Sequence, residues 1–187
     1  MRSTTLRQRL RASDVLAGTF IKTPSHQVIE VLAQSRLDFI VLDGEHSPFD
    51  RQALDACLAV ARLVDLPTLV RVGEGSPKEI LWALDAGAHG IVVPHVDTVA
   101  KAEAVAQAAR FGLGGRGFAG TTRWAGYGAR SMAEVLGDTE QTVVVCQIEE
   151  PAGVEASAAI AAVDGVDALF LGPADISVSY GHQSAPK

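Results

Sequence analysis

The stretch "FIVLDGEHSP", residues 39–48, carries four apolar residues straight into Asp43, Glu45 and His46 and then meets a proline. A short, continuous apolar run closed by a turn is the pattern of a strand buried on both faces, as in parallel sheets covered by helices. Its polar end then lies where the strand leaves the sheet. The same arrangement recurs along the chain. Strands read at 18–22 ("GTFIK"), 39–43, 67–72 ("PTLVRV"), 90–95 ("GIVVPH"), 142–149 ("TVVVCQIE") and 168–172 ("ALFLG"), with helical patterns between them at 25–35, 51–63, 77–86, 98–110 and 152–162. Ser25, Ser76 followed by Pro77, and Asp97 or Thr98 stand where those helices begin, and short polar side chains there can accept the unpaired amides of a first turn.

Strict alternation of strand and helix leaves two architectures, an open doubly wound sheet and a (β/α)8 barrel. The polar residues decide between them. Asp43 with His46, Arg71, His95, Gln147 with Glu149, and Asp175 all fall at or just past the carboxyl ends of different strands. A barrel gathers those ends into one ring, whereas an open sheet spreads them along a crevice. The sequence therefore predicts an α/β fold of the (β/α)8 TIM-barrel type, one domain over residues 1–187. A full barrel takes about 250 residues, so the last two βα units are expected to be missing here. Either the sequence is a shortened form, or the sheet stays open, or a partner chain covers edges that would otherwise invite pairing.

Composition narrows the class. A chain of 187 residues can bury roughly 70% of the surface that its unfolded form exposes. Its 48% hydrophobic and 20% charged residues are ordinary for a packed protein. No apolar run approaches the roughly 20 residues that span a bilayer, so a soluble, cytoplasmic protein without a membrane partner is expected. The net charge of −6 and pI near 5.3 argue against nucleic-acid binding, which needs a positive face. Arg2, Arg7, Arg9 and Arg11, with Arg36 further on, read as a solvated leading helix rather than a secretory signal, since no apolar segment follows. Cys57 and Cys146 form no CxxC and read as buried thiols.

The glycine-rich segment 111–128 holds a formal GxGxxG at Gly112, Gly114 and Gly117, but it follows a helix rather than a strand, so the dinucleotide fingerprint lacks its context. A long mobile loop over the site is the expectation. Arg116, Arg123 and Trp124 could there meet a carboxylate or a neighbouring subunit, or serve a structural crossing.

The chemistry follows from spacing. Gln147 and Glu149 are two apart on one strand and share a face; Glu149 and Asp175 end consecutive strands. Two carboxylates and an amide suit a hard divalent cation, although Asp175 could instead cap a helix and Glu149 pair with an arginine. Arg71 could bind a substrate carboxylate or a developing oxyanion, or form an ion pair with Glu45 or Glu74. His46, three residues after Asp43, reads equally as a general base with a supporting carboxylate or as a structural histidine. His95 fits a packing or supporting role, and His26, His89 and His182 have no evident partner. Together these groups could hold a 2-oxo acid across a metal and stabilise its enolate.

The blocks "GTFIKTPS", "DFIVLDGEHSPFD", "LVRV", "LDAGAHGIVVPHV", "GGRGFAG", "QIEEPAGV" and "VDALFLGPADISVSYG" run in order from Gly18 to Gly181. In them the sequence resembles the metal-dependent class II pyruvate aldolases, which include 4-hydroxy-2-oxoheptanedioate and 2-keto-3-deoxy-sugar-acid aldolases, within the citrate lyase β-subunit superfamily. The resemblance implies metal ligands at Glu149 and Asp175, with Mg²⁺, Mn²⁺ or Co²⁺ as the ion, and Arg71 neutralising the pyruvate enolate. It implies His46 as the base acting through metal-bound water, supported by Asp43 or Asp85. Gln147 and the backbone amides near Gly172 and Ala174 would bind pyruvate. A homo-oligomer, a hexamer built from dimers that exchange a C-terminal helix, is also implied, with about 70 residues beyond "GPADIS" that this sequence lacks. The reaction expected is reversible cleavage of a 4-hydroxy-2-oxo acid to pyruvate and an aldehyde. Two alternatives stand beside it: a catalytically silent binding or assembly subunit, and a lyase acting on a coenzyme A thioester.

Overall fold

The computed structural model describes residues 6–184. Six parallel strands, β1 (Gly18–Ile21), β2 (Phe39–Asp43), β3 (Thr68–Arg71), β4 (Gly90–Val93), β5 (Val143–Ile148) and β6 (Ala168–Leu171), pair in sequence order. Helices α1 (Leu6–Arg11), α2 (His26–Ala33), α3 (Arg51–Leu63), α4 (Pro77–Asp85), α5 (Val99–Ala108), α6 (Met132–Gly137), α7 (Pro151–Ala161) and α8 (Pro173–Ser179) complete the fold. The predicted strands and the five predicted helices are all present, most of them a residue or two shorter at their ends. Helix α6 lay outside the reading, and α1 and α8 were expected only as a leading helix and as a helix near Asp175, without bounds; all three are short, with too few turns to show a period.

Caps fix the helix starts. Asp50 accepts the Ala53 amide at 2.7 Å, Ser76 the Glu79 amide and Thr98 the Lys101 amide, each at 3.3 Å, while Ser25 occupies its N-cap position without a side-chain bond. Two-residue alternation along the strands then sorts the side chains. Ile40, Leu42, Val70, Ile91, Val93, Val144, Cys146 and Ile148 face outward onto Ile29, Leu58, Ile80, Leu84 and Ile160 of the covering helices. Val41, Leu69, Val92, Val143 and Val145 face inward with Phe20, Phe39 and Phe170. Fully burying each such aliphatic side chain stabilises by about 1.5–3 kcal/mol. Both cysteines are buried and unbridged; burial raises the thiol pKa of each, that of Cys146 to about 12.

The sheet is a half-barrel: six strands of the barrel type are present, the last two βα units are missing as expected, and the sheet stays open. It curls until the rings of Phe20 on β1 and Phe170 on β6 lie 5.3 Å apart, yet these edge strands share no ladder. Helix α1 reaches across the gap. Leu6 and Leu10 enter the concave face above an apolar cavity of about 300 Å³, and Arg7 donates to Asp167 at 2.8 Å. Arg7 is therefore buried, which corrects the solvated leading helix; Arg2 lies outside the described residues. Among the described residues no helix is long and apolar enough to cross a membrane.

The glycine-rich segment is not a lid. Arg116 is buried, bonds Asp85 at 2.5 Å and stacks on Phe111 and Trp124; Arg123 grips Asp55, at 2.5 and 2.9 Å, and the Ala86 carbonyl. These anchors tie the segment to α3, α4 and the turn before β4, and the arginines meet carboxylates of their own chain.

Candidate active site

Alternation also builds the site. Counting on from the inward Val41, Leu69 and Val145 by two, Asp43, Arg71 and Gln147 occupy the last inward positions of β2, β3 and β5. Here the inner face changes from apolar to charged. Asp43 and Arg71 are register partners, and Arg71 donates through Nε to Oδ1 (2.9 Å) and through Nη2 to Oδ2 (2.7 Å). Its guanidinium also lies 4.8 Å from the centre of the Phe20 ring. The remaining nitrogen, Nη1, is 3.5 Å from Gln147 Oε1 and 3.3 Å from Glu45 Oε2.

Gly44 brings the next residues into place. Its amide donates to the Arg71 carbonyl at 2.8 Å, and a Cβ there would stand 2.6 Å from that oxygen. The chain can therefore lie against β3 and seat Glu45 beside Arg71, with His46 next to Glu45. Asp43 Oδ1 accepts the backbone amides of both. This changes the expected role of Asp43: its carboxylate holds Arg71 and the turn, not the His46 ring. The carboxylate next to that ring is Glu45, with Oε1 3.6 Å from His46 Nε2. Burial pushes the Glu45 carboxyl above its usual range, and Arg71 and His46 only partly offset this. Asp85 does not support His46 within this chain either. It ends α4, which returns to the amino end of the sheet, and its carboxylate is bound to Arg116.

Glu149 follows β5 and is buried; Oε1 accepts the His95 amide at 2.7 Å, and Gln147 Nε2 donates to Oε2. Asp175 lies in the first turn of α8, exposed, with no hydrogen bond or ion pair among the described residues. Gly172 brings the two carboxylates to one space. A Cβ on Gly172 would stand 3.4 Å from Glu149 Oε2 and 3.5 Å from Asp175 Oδ2, so both oxygens border the volume that a side chain would fill. The Gly172 amide itself donates to the Ile148 carbonyl at 3.0 Å, which removes it as a ligand donor and leaves the amide of Ala174.

Lys22 escaped the sequence, whereas the ion pair of Glu45 with Arg71 and a supporting role for His95 were among its readings. Glu45 joins Arg71, His46 and His95, Lys22 lies 3.6 Å from Asp43, and His95 binds Glu149. Lys22 was within reach of the same two-residue count from Phe20; Glu45 depends on the turn at Gly44. Among the other histidines, His89 does have a partner, its Nδ1 accepting the Thr68 amide at 3.1 Å.

Comparison with known proteins gives the family. A family model described as HpcH/HpaI aldolase/citrate lyase matches residues 16–187. The chain is 34% identical over 179 residues to a hydroxypyruvate/pyruvate aldolase of Roseovarius nubinhibens, covering 95% of this chain and 70% of that protein. It is 36% identical over 187 aligned residues to a hydroxypyruvate/pyruvate aldolase of Pseudomonas aeruginosa, covering 96% and 68%. The crystal structure of a family protein from Burkholderia cenocepacia J2315 superposes with a TM-score of 0.89 at 35% identity, covering 96% of this chain and 72% of that one. On these matches of sequence and fold, the chain belongs to the HpcH/HpaI aldolase/citrate lyase family and is an aldolase-type carbon–carbon lyase.

Proposed function

We propose that this protein reversibly cleaves a 4-hydroxy-2-oxo acid to pyruvate and an aldehyde, with a divalent cation (Mg²⁺, Mn²⁺ or Co²⁺) at Glu149 and Asp175. The observation that carries the reading is Arg71. It is buried and locked by Asp43 on two of its nitrogens, and its third lies between Gln147 and Glu45. The pyruvate-named relatives support the keto-acid half.

The residues present fit a cation. Glu149 Oε2 and Asp175 Oδ2 are hard oxygen donors facing one Cβ-free space. Among the described residues no three His, Cys, Asp or Glu side chains group to hold an ion. Two carboxylates on one side would leave the other positions to water and substrate oxygens. A cation bound there would draw electron density from the 2-oxo group and make the adjoining carbon–carbon bond easier to break.

The chain's own residues supply the rest. Arg71 Nη1 donates to the substrate oxygen on which negative charge develops, and its fixed geometry needs no reorganisation at that moment. His46 takes the proton of the C4 hydroxyl; the C3–C4 bonding pair moves toward the C2 carbonyl, the aldehyde leaves, and C3 regains a proton to give pyruvate. Gln147 and the Ala174 amide orient the carboxylate end. The resemblance extends the proposal to a homo-oligomer, which light scattering on the eluting protein measures.

Pyruvate release from a panel of 4-hydroxy-2-oxo acids, coupled to NADH oxidation by lactate dehydrogenase, tests the function. Turnover is expected with Mg²⁺ or Mn²⁺ and is expected to vanish in excess chelator. Silence across the panel with metal present would leave a binding or assembly role, and full rate in chelator would remove Glu149 and Asp175 from the chemistry.

A further inference from the structure

His95 departs from the strand that carries it. Pro94 has no amide to give the ladder, and Val96 resumes contact with β5 by donating to the Gln147 carbonyl at 3.3 Å. Between them His95 takes φ = 55°, a left-handed conformation that costs free energy in a residue with a Cβ and persists only where the surroundings enforce it. That excursion brings both the amide and the ring of one residue against Glu149. The His95 amide is 2.7 Å and its Nδ1 3.2 Å from Glu149 Oε1, and Nδ1 also lies 3.0 Å from Glu150 Oε1. Lys101 on α5 holds the His95 carbonyl from the other side at 3.2 Å, and Nε2 faces Glu45 Oε1 at 3.9 Å.

The consequence falls on Glu149. With Oε1 held by His95, it is Oε2, which also accepts from Gln147 Nε2, that borders the space beside Gly172 and Asp175. We infer that His95 is a positioning residue: its strained backbone and ring fix which oxygen of Glu149 is offered to a cation, and so set the affinity of the site for that ion. This rests on the proposed role of Glu149 as a cation ligand. Partners of metal ligands of this kind typically change affinity 10- to 100-fold when lost.

The test is a Mn²⁺ titration of the purified chain, followed by the electron paramagnetic resonance of the free aqua ion, without substrate. His95→Gly keeps the backbone donor, removes the ring and suits a positive φ, so it is expected to melt no lower than the wild type while binding Mn²⁺ at least about tenfold more weakly. His95→Asn tolerates the left-handed backbone and keeps a side-chain donor, and is expected to recover most of that loss. The inference is overturned if His95→Gly binds as tightly as the wild type, if it weakens only in step with thermal stability, or if His95→Asn is no better than glycine. Glu149→Gln separates the two levels: wild type failing to bind Mn²⁺, or binding no more tightly than Glu149→Gln, brings down the cation reading and this inference together, whereas a normal wild type with an indifferent His95 brings down this inference alone.

Discussion

Asp43 and Arg71 stand opposite each other on neighbouring strands, and the carboxylate meets the guanidinium edge-on through bonds of 2.9 and 2.7 Å, both groups being buried. Burial opposes the charge on Asp43. Hydrogen bonds from Arg71 and from the His46 and Glu45 amides outweigh it and hold the carboxyl below its usual range. Removing the carboxylate would strand a buried cation, so Asp43→Ala is expected to lower the unfolding free energy by about 3–5 kcal/mol. Urea denaturation measures this; a loss below about 1 kcal/mol would place the pair among surface ion pairs in energetic terms.

Arg71 is expected to act through charge placement. Arg71→Ala should slow pyruvate release by about 10²- to 10³-fold, the magnitude of losing one preorganised donor to a developing oxyanion. Arg71→Lys keeps the charge but not the planar fork, and should fall between alanine and wild type. Wild-type turnover in the alanine variant would remove Arg71 from the reaction.

Gly44 tests whether the turn after β2 is sterically required. A methyl group there would stand 2.6 Å from the Arg71 carbonyl oxygen. Gly44→Ala is expected to cost about 1–3 kcal/mol through overpacking, and to depress activity further than the fraction folded explains, since Glu45 and His46 follow it. Thermal melts paired with initial rates would show this, and an alanine variant that matched wild type in both would refute it.

His89 gives stability a pH dependence with a definite sign. Burial, with help from Arg62, lowers its pKa from 6.5 to about 4, and its neutral Nδ1 accepts the Thr68 amide. Between those values the unfolded chain binds a proton that the native chain refuses. This contribution is complete above the unfolded value and declines as pH drops toward 4, by up to about 1.4 kcal/mol per unit. Unfolding free energies measured across this range for wild type and His89→Gln should diverge, the variant losing the His89 share of the slope; parallel curves would contradict it.

The sequence was most legible where periodicity operates. Alternation along β2, β3 and β5 announced both the parallel sheet and the residues crowning it, because a period of two fixes the face a side chain occupies whatever lies beyond the sheet. Loops were less legible. Asp43 and His46 are close in sequence, but the backbone turns at Gly44 and directs the carboxylate to β3, a choice made by contacts from 28 residues away. A supporting role for His95 was legible, but its hold on Glu149 stayed hidden because a left-handed residue leaves no mark in composition. Arg116 and Arg123 read as a mobile cover since nothing nearby in sequence names Asp85 and Asp55 as their partners.

The bond from Arg7 to Asp167 joins positions 160 apart. At roughly 5–20 residues per second of synthesis, the acceptor follows the donor by about 8 to 30 s. During that interval Leu6 and Leu10 have no finished concave surface to enter, so α1 docks only after β6 has been made. A binder that shields α1 until β6 is made should raise the yield of native protein, whereas one that keeps its grip afterwards should keep the half-barrel from setting.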